Sequence, residues 1–564
     1  ACADAGVRFV NISPLRGDAL GALGAEWLPP RPGSDTAIMM GLAHTLLSEN
    51  LHDRDFLVRY TVGFDRVAAY LTGQVDGTVK SADWAAAKSG LDADRIRSLA
   101  REMASNRTLI CTAVSLQRAD YGEQPLWMTV ALAAMLGQVG LPGGGFGIGY
   151  GADASIGTMD RPLHWPSMSQ GMLRVDAHIP VAMVADMLLS PGGAYQYDGK
   201  NLTFPDIRLV WWAGGNPFHH HQDLNRLRAA FQQPETIIVN ELNWTATARH
   251  ADIVLPIAAA QERDDFGGGT QDNALIPMPA CAVPPGEARC EYDIFAALEQ
   301  RLGRDTTFSQ GRSVRDWQVA MWDRMRGTAK AAGRELPDWD SFLSGDIVTF
   351  DDPTPERVFL SEFRADPIAA RLPTPSGLIE LASAQIDAFG YDDCPGHPVW
   401  REPRSWAQSA CGHPLLLVSG QPETRLHSQL DNGAFSQSRK VQGREPVLIN
   451  PADADARGIK DGDVVELFNE RGRCLAGAVV TDGIIAGTIF LWTGAWYDPD
   501  FSAPDHLDRH GNPNVLTHDL RTSRLTQGPA AQSAAVEMRR FEGPLPKVMA
   551  YTPPVGPVAT DDLP

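Results

Sequence analysis

The sequence has few of the features that indicate a membrane protein or a nucleic-acid-binding protein. No apolar run approaches the roughly 18 residues that a membrane-spanning helix needs. Basic residues are scarce, since 49 Lys and Arg stand against 69 Asp and Glu, and the formal net charge of −20 would repel a phosphate backbone. We therefore expect no transmembrane segment and no binding to nucleic acid.

Cysteine is also scarce, with 7 residues in a chain of 564. The cysteines are scattered, at positions 2, 111, 281, 290, 394, 411 and 474. None of them belongs to a Cys-x-x-Cys motif, which argues against an iron–sulfur motif or a zinc knuckle in this chain. Their odd number and wide spacing also argue against a disulfide scaffold.

What remains is an ordinary globular composition, 43% hydrophobic and 21% charged. The length predicts three to four domains of about 150 residues each. The chain begins at Ala1 with neither a methionine nor a signal peptide, and a buried strand is predicted almost at once, in residues 6–14. We therefore expect this chain to be the C-terminal part of a longer protein.

The first two thirds of the chain alternate strand and helix signals. Apolar residues at helical spacing predict helices at 35–50, 92–106, 123–140 and 223–231. Short apolar runs predict strands at 107–114, 206–214, 235–242 and 251–258. A strand–helix–strand order of this kind implies parallel sheets with right-handed crossovers.

From residue 412 onward, short strands alternate with turns such as KDGD and NERG, which predicts an all-β domain, a barrel. The fold class is therefore α/β, with two doubly wound, dinucleotide-binding-like units followed by a C-terminal β-barrel. We expect four parts: an α/β domain, a second α/β domain, an irregular connecting region and the barrel, at residues 1–155, 156–300, 301–410 and 411–564.

One stretch, RLVWWAGGNPFHHHQDLNRLRAAF at residues 208–231, carries the first functional signal. In a doubly wound sheet, ligands bind beyond the carboxyl ends of the strands, which is where the GGNP turn falls. Its glycines let the backbone approach a ligand, and the helix that follows offers free N–H groups to phosphate. The next strand ends in Asn240 and Glu241, where an acidic residue can bond a ribose or a base edge. The pattern predicts a nucleotide-like ligand.

The triple histidine, His219 to His221, has other interpretations. Adjacent residues point in different directions in a strand or a helix, so three neighbours do not easily converge on one metal ion. Packing or capping of the loop, and contact of one histidine with a ligand, both remain open.

Several long runs carry a family resemblance in addition. They are SLQRADYGEQPLWMTVALAAMLGQVGLPGGGFGIGYG (115–151), GGNPFHHHQDLNRL, NELNWTATARHADIVLPIAAAQERDD, TRLHSQL (424–430), REPVLINPADADARGIKDGDVVELFNERGRCLAGAVVTDGI (444–484) and GNPNVLTHDLRTSRLTQG (511–528). Together they resemble the molybdopterin oxidoreductases of the dimethyl sulfoxide reductase family. The resemblance is stronger to the branch of biotin/methionine sulfoxide reductases and trimethylamine N-oxide reductases, and it covers nearly the whole chain.

The resemblance implies a bis-(molybdopterin guanine dinucleotide) molybdenum cofactor and a barrel of the double-psi type. The cofactor-binding residues that it implies are Pro14, Asp35, Ser115, Gly214, Gly215, Asn216, Pro217, His219, Asn240, Glu241, Arg249, His427, Ser428, Gln429, Asn514, Gln527 and Gly528. Pro14 and Asp35 would bind one guanosine, and Asn240, Glu241 and Arg249 the other. Gln117 and Arg118 would line the substrate funnel, with Arg118 bonding the oxygen of an S-oxide or N-oxide.

Structural alternatives exist for some of these residues. Arg249 could form a surface ion pair, Asp35 could be only a helix cap, and Ser428 with Gln429 could only complete a barrel turn. Gly143 to Gly145 could only end a helix.

The resemblance also has gaps. The family's molybdenum ligand is a serine in the N-terminal portion, so we expect no metal ligand in this chain. Val114 stands where several relatives carry tryptophan, which would reshape the funnel.

The function implied is reduction of S-oxides or N-oxides by oxygen-atom transfer, with electrons from a donor such as a c-type cytochrome, a quinol-linked protein or a thioredoxin-like protein. The alternatives are a non-catalytic scaffold subunit of the same fold and a relative of formate dehydrogenase or nitrate reductase. The retention of GGNPFHHH, TATARHAD, RLHSQ and SRLTQG together favours the first function over a scaffold. The compartment, periplasmic or cytoplasmic, stays undetermined by the sequence.

Overall fold

The computed structural model describes residues 1–149, 163, 165–168, 175, 178–269, 272–304, 307–350, 357–410, 412–502 and 506–554. The expected boundary at residue 155 between the two α/β units lies outside the described residues, as does Cys411 at the expected start of the barrel domain. None of the helices in the described part of the chain is both long and apolar enough to cross a membrane.

The first α/β unit is a layer of helices over short parallel strand pairs. Its strands are β1 (Val10–Asn11), β2 (Glu26–Trp27), β3 (Thr61–Val62), β4 (Leu109–Thr112) and β5 (Gly145–Ile148). Its helices are α1 (Asp35–Ser48), α2 (Arg54–Tyr60), α3 (Phe64–Leu71), α4 (Ala82–Ser89), α5 (Ala93–Ser105) and α6 (Glu123–Met135). β1 pairs with β2 and β4 with β5, both in parallel.

Helix α5 shows why the helices of this unit could be predicted from the spacing of apolar residues. The side chain of Asp92 accepts a hydrogen bond from the backbone N–H of Arg95 and so caps the helix start. Ile96, Leu99 and Met103, spaced three and four residues apart, form its buried face. α1 and α6 are buried on most sides and form the centre of the apolar core of this unit.

The second α/β unit is built on a parallel three-stranded sheet. Its elements are α7 (Val184–Leu189), β6 (Ala194–Tyr197), β7 (Lys200–Thr203), β8 (Leu209–Ala213), α8 (Pro217–His220), α9 (Leu224–Ala230), β9 (Thr236–Glu241), β10 (Ile253–Pro256), β11 (Asp265–Gly267), β12 (Ala274–Met278) and α10 (Glu291–Arg301). The sheet order is β10–β9–β8, and Ala213, Asn240 and Leu255 lie in register at its carboxyl edge. The expected crossover through 223–231 is present as α9.

The region 301–410 is more regular than its composition predicts. It contains α11 (Val314–Ala331), α12 (Trp339–Leu343), β13 (Val348–Thr349), α13 (Ser361–Ala365), β14 (Ile379–Glu380), α14 (Ala384–Ala388) and α15 (Arg404–Ser409). α11 begins with a capping box between Ser313 and Asp316 and buries Trp322, Met325 and Ala329 on one face. Its many Arg and Asp residues are on the other faces, and they obscure the helical period in the sequence.

The last part is a closed six-stranded barrel, as the sequence predicts. Its elements are β15 (Leu415–Val418), α16 (Ala434–Ser438), β16 (Pro446–Ile449), α17 (Pro451–Asp455), β17 (Val464–Phe468), β18 (Arg473–Val480), β19 (Thr488–Leu491) and β20 (Ala534–Arg540). The order is β15–β19–β16–β18–β17–β20, closed by antiparallel pairing of β20 with β15. The NERG turn joins β17 to β18 as a hairpin.

One apolar cluster runs from the second α/β unit into the barrel. Phe218 and Leu227 of the second α/β unit belong to the same buried core as three residues of the barrel domain, Val447, Leu491 and Leu516. The loops that leave the carboxyl edge of β8 and β9 are therefore held at a fixed distance from the loops of the barrel.

Candidate active site

The GGNP turn begins directly after β8, at the carboxyl edge of the parallel sheet. Gly214 and Gly215 have φ of +80° and +83°, a conformation that favours glycine. A Cβ on Gly214 would have no described atom within 4 Å, whereas a Cβ on Gly215 would lie 3.2 Å from Nε1 of Trp212. Pro217 then starts α8 at its first turn. The turn therefore presents open backbone on one side and a tryptophan on the other.

Asn216 joins the α/β unit to the barrel. Its side chain is buried and donates a hydrogen bond of 3.2 Å from Nδ2 to Oγ of Ser428. Its Oδ1 accepts a hydrogen bond from the hydroxyl of Thr247, which also caps the N–H of Phe218 at 3.5 Å. Two sequence-predicted residues 212 positions apart are thus in direct contact.

The three histidines point to different surroundings. His219 and His221 are buried, and Nδ1 of His219 and Nε2 of His221 have no hydrogen-bond partner among the described residues. Burial lowers the pKa of His219 to about 3 and that of His221 to about 4, so both rings are neutral at physiological pH. The His219 ring lies 5.7 Å from the ring of His427. Among the described residues, no three His, Cys, Asp or Glu side chains come together as a metal site would require.

Asn240 and Glu241 end β9 beside the GGNP turn. Asn240 is buried, accepts a hydrogen bond from Nε1 of Trp211 at 3.0 Å and donates one to Glu291 at 3.1 Å. The Glu241 carboxylate accepts hydrogen bonds from the backbone N–H of Leu242 and the hydroxyl of Thr245, and burial raises its pKa.

Arg249 lies in the 3-10 helix Ala248–His250 between β9 and β10, with its guanidinium on the C-terminal segment of the chain. One guanidinium nitrogen donates to the carbonyl oxygens of Met549 and Ala550, each at 2.9 Å, and to that of Thr552. The Nε of Arg249 is buried with no hydrogen-bond partner among the described residues.

The barrel contributes the loop of His427, Ser428 and Gln429. His427 has φ of +53°, a strained conformation for a residue with a Cβ. Its backbone N–H donates to Oε1 of Gln421, and its Nδ1 lies 3.0 Å from Nε2 of Gln421. Gly494 packs against this loop so closely that a Cβ there would lie 1.9 Å from the His427 carbonyl oxygen. The loop is fixed on one side, while the side chains of His427 and Gln429 are exposed.

A second segment of the barrel domain, residues 512–527, is hydrogen-bonded to the second α/β unit. Asn514 donates to the carbonyl oxygen of His219, and Asn512 donates to that of Phe218 at 3.1 Å. Gln527 has φ of +52° and is buried, with its amide donating to the carbonyl of Gln196.

The turn Val114–Arg118, a 3-10 helix, lies against this second segment. The N–H of Gln532 donates to the carbonyl of Arg118 at 2.8 Å, and a Cβ on Gly528 would lie 3.7 Å from the carbonyl oxygen of Gln117. Ser115, Gln117 and Arg118 are exposed. Desolvation, followed by the charges of His221, His427 and Arg118, lowers the pKa of His220 to about 3, so Arg118 is within electrostatic range of the histidine loop.

Pro14 and Asp35 contact parts of the chain other than the GGNP turn. The carbonyl of Pro14 accepts from the N–H of Ile485 at 3.1 Å, next to the barrel. Asp35 begins α1 and lines a cavity of about 30 Å³ that Leu116 of the Val114–Arg118 turn also lines. Burial raises the pKa of Asp35. A larger, open cavity of about 440 Å³, between Pro277 and Leu343, is lined by none of the predicted site residues.

Sequence reasoning missed the groups that hold these loops together. Thr247, Trp496, Asp431 and Gly494 each contact a predicted site residue, and of these four only Thr247 lies in a run, TATARHAD, that the sequence singled out. Their partners are distant in the sequence, so no local spacing marks them.

The site has room and unpaired polar atoms for a ligand with polar edges. Buried polar atoms cluster behind the GGNP turn with no hydrogen-bond partner among the described residues, namely Nε1 of Trp212, Nδ1 of His219, Nε2 of His221 and Oε1 of Gln222. Buried polar groups are normally paired, so these atoms indicate a ligand or ordered water. The open face of Gly214 leaves room for it.

Comparisons with known proteins agree with this arrangement. Residues 5–301 match the family model of molybdopterin oxidoreductases, and residues 415–535 match the molydopterin dinucleotide binding domain. The second match includes the loop of His427 and the strands of the barrel up to the start of β20.

Three curated relatives are similar over nearly the whole chain. The dimethyl sulfoxide/trimethylamine N-oxide reductase of Cereibacter sphaeroides is 45% identical over 99% of this chain and 70% of its own length. The biotin sulfoxide reductase of the same organism is 44% identical over 95% of this chain and 72% of its own length. The trimethylamine-N-oxide reductase of Haemophilus influenzae is 41% identical over 97% of this chain and 69% of its own length.

Among solved structures, acetylene hydratase from Pelobacter acetylenicus has a similar fold. The TM-score is 0.65 at 18% identity, over 95% of this chain and 74% of the hydratase chain. At this identity the likeness concerns the fold alone. The two family models and the identity to curated relatives show that this chain belongs to the molybdopterin oxidoreductases, enzymes that carry a molybdenum–molybdopterin cofactor.

Proposed function

We propose that the protein is a molybdenum-dependent reductase of S-oxides or N-oxides, of the biotin or methionine sulfoxide, dimethyl sulfoxide or trimethylamine N-oxide type. The observation that carries the proposal is the 45% identity over 99% of this chain to a dimethyl sulfoxide/trimethylamine N-oxide reductase. The contact between Asn216 and Ser428 supports it, because it joins loops from both matched domains into one site.

The cofactor that we propose is bis-(molybdopterin guanine dinucleotide) molybdenum, with no iron–sulfur cluster held by this chain. The GGNP turn and His219 would hold one dinucleotide, with Asn240, Glu241 and Arg249 at its guanosine end. Pro14 and Asp35 would serve the second guanosine. His427, Ser428, Gln429, Asn514, Gln527 and Gly528 would bond the pterins from the barrel, and Ser115 would lie near the metal. The metal ligand itself would be a serine outside this chain.

The bound molybdenum would supply a two-electron oxygen-atom transfer, which converts an S-oxide to a sulfide or an N-oxide to an amine. The part of this chain in the reaction is to place the oxide. Arg118 is exposed on the turn beside the histidine loop, where its guanidinium can donate hydrogen bonds to the oxide oxygen. A guanidinium stabilises negative charge on that oxygen without losing its own proton. Gln117, exposed on the same turn, would orient the remainder of the substrate.

An electron donor would restore the reduced state, with a c-type cytochrome, a quinol-linked protein and a thioredoxin-like protein as the classes to test. Because the expected metal ligand lies outside this chain, we propose that the chain alone does not turn over substrate. Purified chain with reduced methyl viologen and methionine sulfoxide is expected to show no activity, and sustained turnover would contradict this part of the proposal.

The test of the function uses the parent protein, this chain with its upstream sequence. Steady-state kcat/KM is measured with reduced methyl viologen and methionine sulfoxide, dimethyl sulfoxide, trimethylamine N-oxide or nitrate. We expect the oxides to be reduced with a higher kcat/KM than nitrate. A higher kcat/KM for nitrate would place the protein with the nitrate reductases, and an absence of bound molybdenum would indicate a scaffold.

A further inference from the structure

The C-terminal segment Pro546–Thr552, here called the strap, has no regular secondary structure but is held at both ends. Arg444 donates to the carbonyl of Pro546 at 2.6 Å, and the carboxylate of Asp498 accepts from the N–H of Met549 at 2.7 Å. Arg249 of the second α/β unit donates to three carbonyls of the strap. The strap thus joins the barrel to the α/β unit.

Tyr551 extends from the strap into a buried cluster of charges. Its hydroxyl lies 2.9 Å from Oδ2 of Asp431 and 2.9 Å from Nε2 of His510, and it accepts a hydrogen bond from Gln437 at 2.7 Å. The cluster also includes Lys440, whose ammonium lies 2.7 Å from Oδ1 of Asp431. Asp431 and the side chain of Lys440 are fully or almost fully buried.

The positive charges around Asp431 keep its carboxylate ionised. Burial alone would raise the pKa of Asp431, but Lys440, His510 and Arg425 lower it to about 2. Burial and the negative charge of Asp431 raise the pKa of Tyr551, so its hydroxyl remains a hydrogen-bond donor. A hydrogen bond to a charged acceptor is stronger than one between neutral groups.

Asp431 connects the strap to the loop of His427, Ser428 and Gln429. Its Oδ2 also accepts from the backbone N–H of Trp496 at 3.0 Å, and Nε1 of Trp496 donates to the carbonyl of Ser428 at 2.8 Å. The Ser428 hydroxyl in turn accepts from Asn216 of the GGNP turn. A series of hydrogen bonds through Asp431, Trp496 and Ser428 therefore leads from Tyr551 to the two loops of the candidate site, and it is buried from Asp431 onward.

We propose that the strap is a latch that holds the His427–Gln429 loop against the GGNP turn, with Tyr551 as its positioning residue. The inference rests on the proposed function, because these are the loops assigned to the cofactor. Without the tyrosine hydroxyl, Asp431 loses one of its donors and Trp496 is held less firmly. The loop would then open more often, and bound molybdenum cofactor would leave faster.

The test compares Tyr551→Phe with wild type and with Tyr195→Phe in the parent protein. Tyr195 is the control, because its hydroxyl also donates a hydrogen bond, to the carbonyl of His178 at 3.0 Å, and its hydrophobic cluster includes neither Asp431 nor Trp496. Two quantities are measured: hydrogen exchange of the amides of residues 427–431, and the rate at which molybdenum leaves the protein during incubation with a chelator.

We expect Tyr551→Phe to accelerate both exchange in this loop and molybdenum release on the order of tenfold, the loss of one hydrogen bond to a charged group. Exchange in β16 and β18 should stay unchanged, and Tyr195→Phe should match wild type in both measurements. Wild-type rates in Tyr551→Phe, or equal acceleration throughout the barrel, would overturn the latch. If the wild-type protein carried no molybdenum, the proposed function would fail, and the exchange measurement would still decide the latch.

Discussion

Two parts of the candidate site differ in how they are held. The Asn216–Ser428 pair is buried, and neighbouring backbone at His427 adopts a strained left-handed conformation. The turn Val114–Arg118, in contrast, is fixed through backbone contacts such as the one between Arg118 and Gln532, while its polar side chains are exposed.

The difference matches two tasks. A large anionic cofactor is held most tightly by groups that are already in place before it binds, since ordering them at binding would cost affinity. A small oxide needs one or two donors that approach it as it enters. We therefore assign cofactor retention mainly to the buried part, and substrate placement to Gln117 and Arg118 of the exposed turn.

The largest effect on molybdenum content is expected from Gly494→Ala, which displaces the His427–Gln429 loop of the buried part. The new Cβ would lie 1.9 Å from the carbonyl oxygen of His427, at a backbone φ of +96°. Molybdenum content, measured by elemental analysis, should fall to below about a tenth of wild type, because the loop has to leave the position in which Ser428 contacts Asn216. Gly462→Ala is the control, since Gly462 also has positive φ, +81°, but no described atom within 4 Å of its Cβ position. Equal molybdenum loss in both variants would mean that backbone strain, not the loop contact, is responsible.

A smaller but still large effect is expected from Gly215→Val in the GGNP turn. A branched side chain there meets Trp212 and fills space that we assign to the cofactor. Molybdenum content should be strongly reduced while the circular dichroism spectrum stays that of the wild type. His220→Ala should leave the molybdenum content nearly unchanged, because we assign no metal to the triple histidine. Loss of metal in the histidine variant with retention in the glycine variant would reverse this assignment.

The smallest effect is expected on the free energy of unfolding, through protonation of the buried His219. His219 has a pKa of about 3 in the folded protein, below its ordinary value, so the unfolded chain binds the proton more readily. The free energy of unfolding should therefore fall as the pH drops from about 6.5 toward 3, by about 2 kcal/mol at pH 5 for this histidine. Urea unfolding of cofactor-free protein at about pH 7.5 and pH 5 measures the change. His219→Gln should lose less stability over the interval, and an identical loss would show that His219 is not buried in its neutral form.

Much of the fold was predictable because its signals are local. The period of α5, the apolar runs of β8, β9 and β10, and the turns between the barrel strands all lie within a few neighbouring residues. α11 escaped prediction because charged residues on its exposed faces mask its apolar side. The sequence of β20, AAVEMRR, has a weak strand pattern, so this strand was predicted only as part of the all-β domain.

The candidate site was predictable only in part. The residue types were found because they sit in recognisable runs, but their partners were not. Asn216 meets Ser428 across 212 residues, and Arg249 reaches the strap across 300 or more. Contacts between residues so far apart in the sequence depend on how the domains pack. The spacing of residues within one short run does not predict that packing.

The most direct test of this division is turnover per bound molybdenum, measured as kcat/KM for methionine sulfoxide in Arg118→Gln and Asn216→Ala of the parent protein. For Arg118→Gln we expect full molybdenum content and a kcat/KM per bound molybdenum about 100-fold lower, the typical loss of a donor to a developing oxyanion. For Asn216→Ala we expect reduced molybdenum content, with kcat/KM per bound molybdenum close to wild type. The reverse pattern, metal loss in the arginine variant and slow turnover at full occupancy in the asparagine variant, would contradict the account.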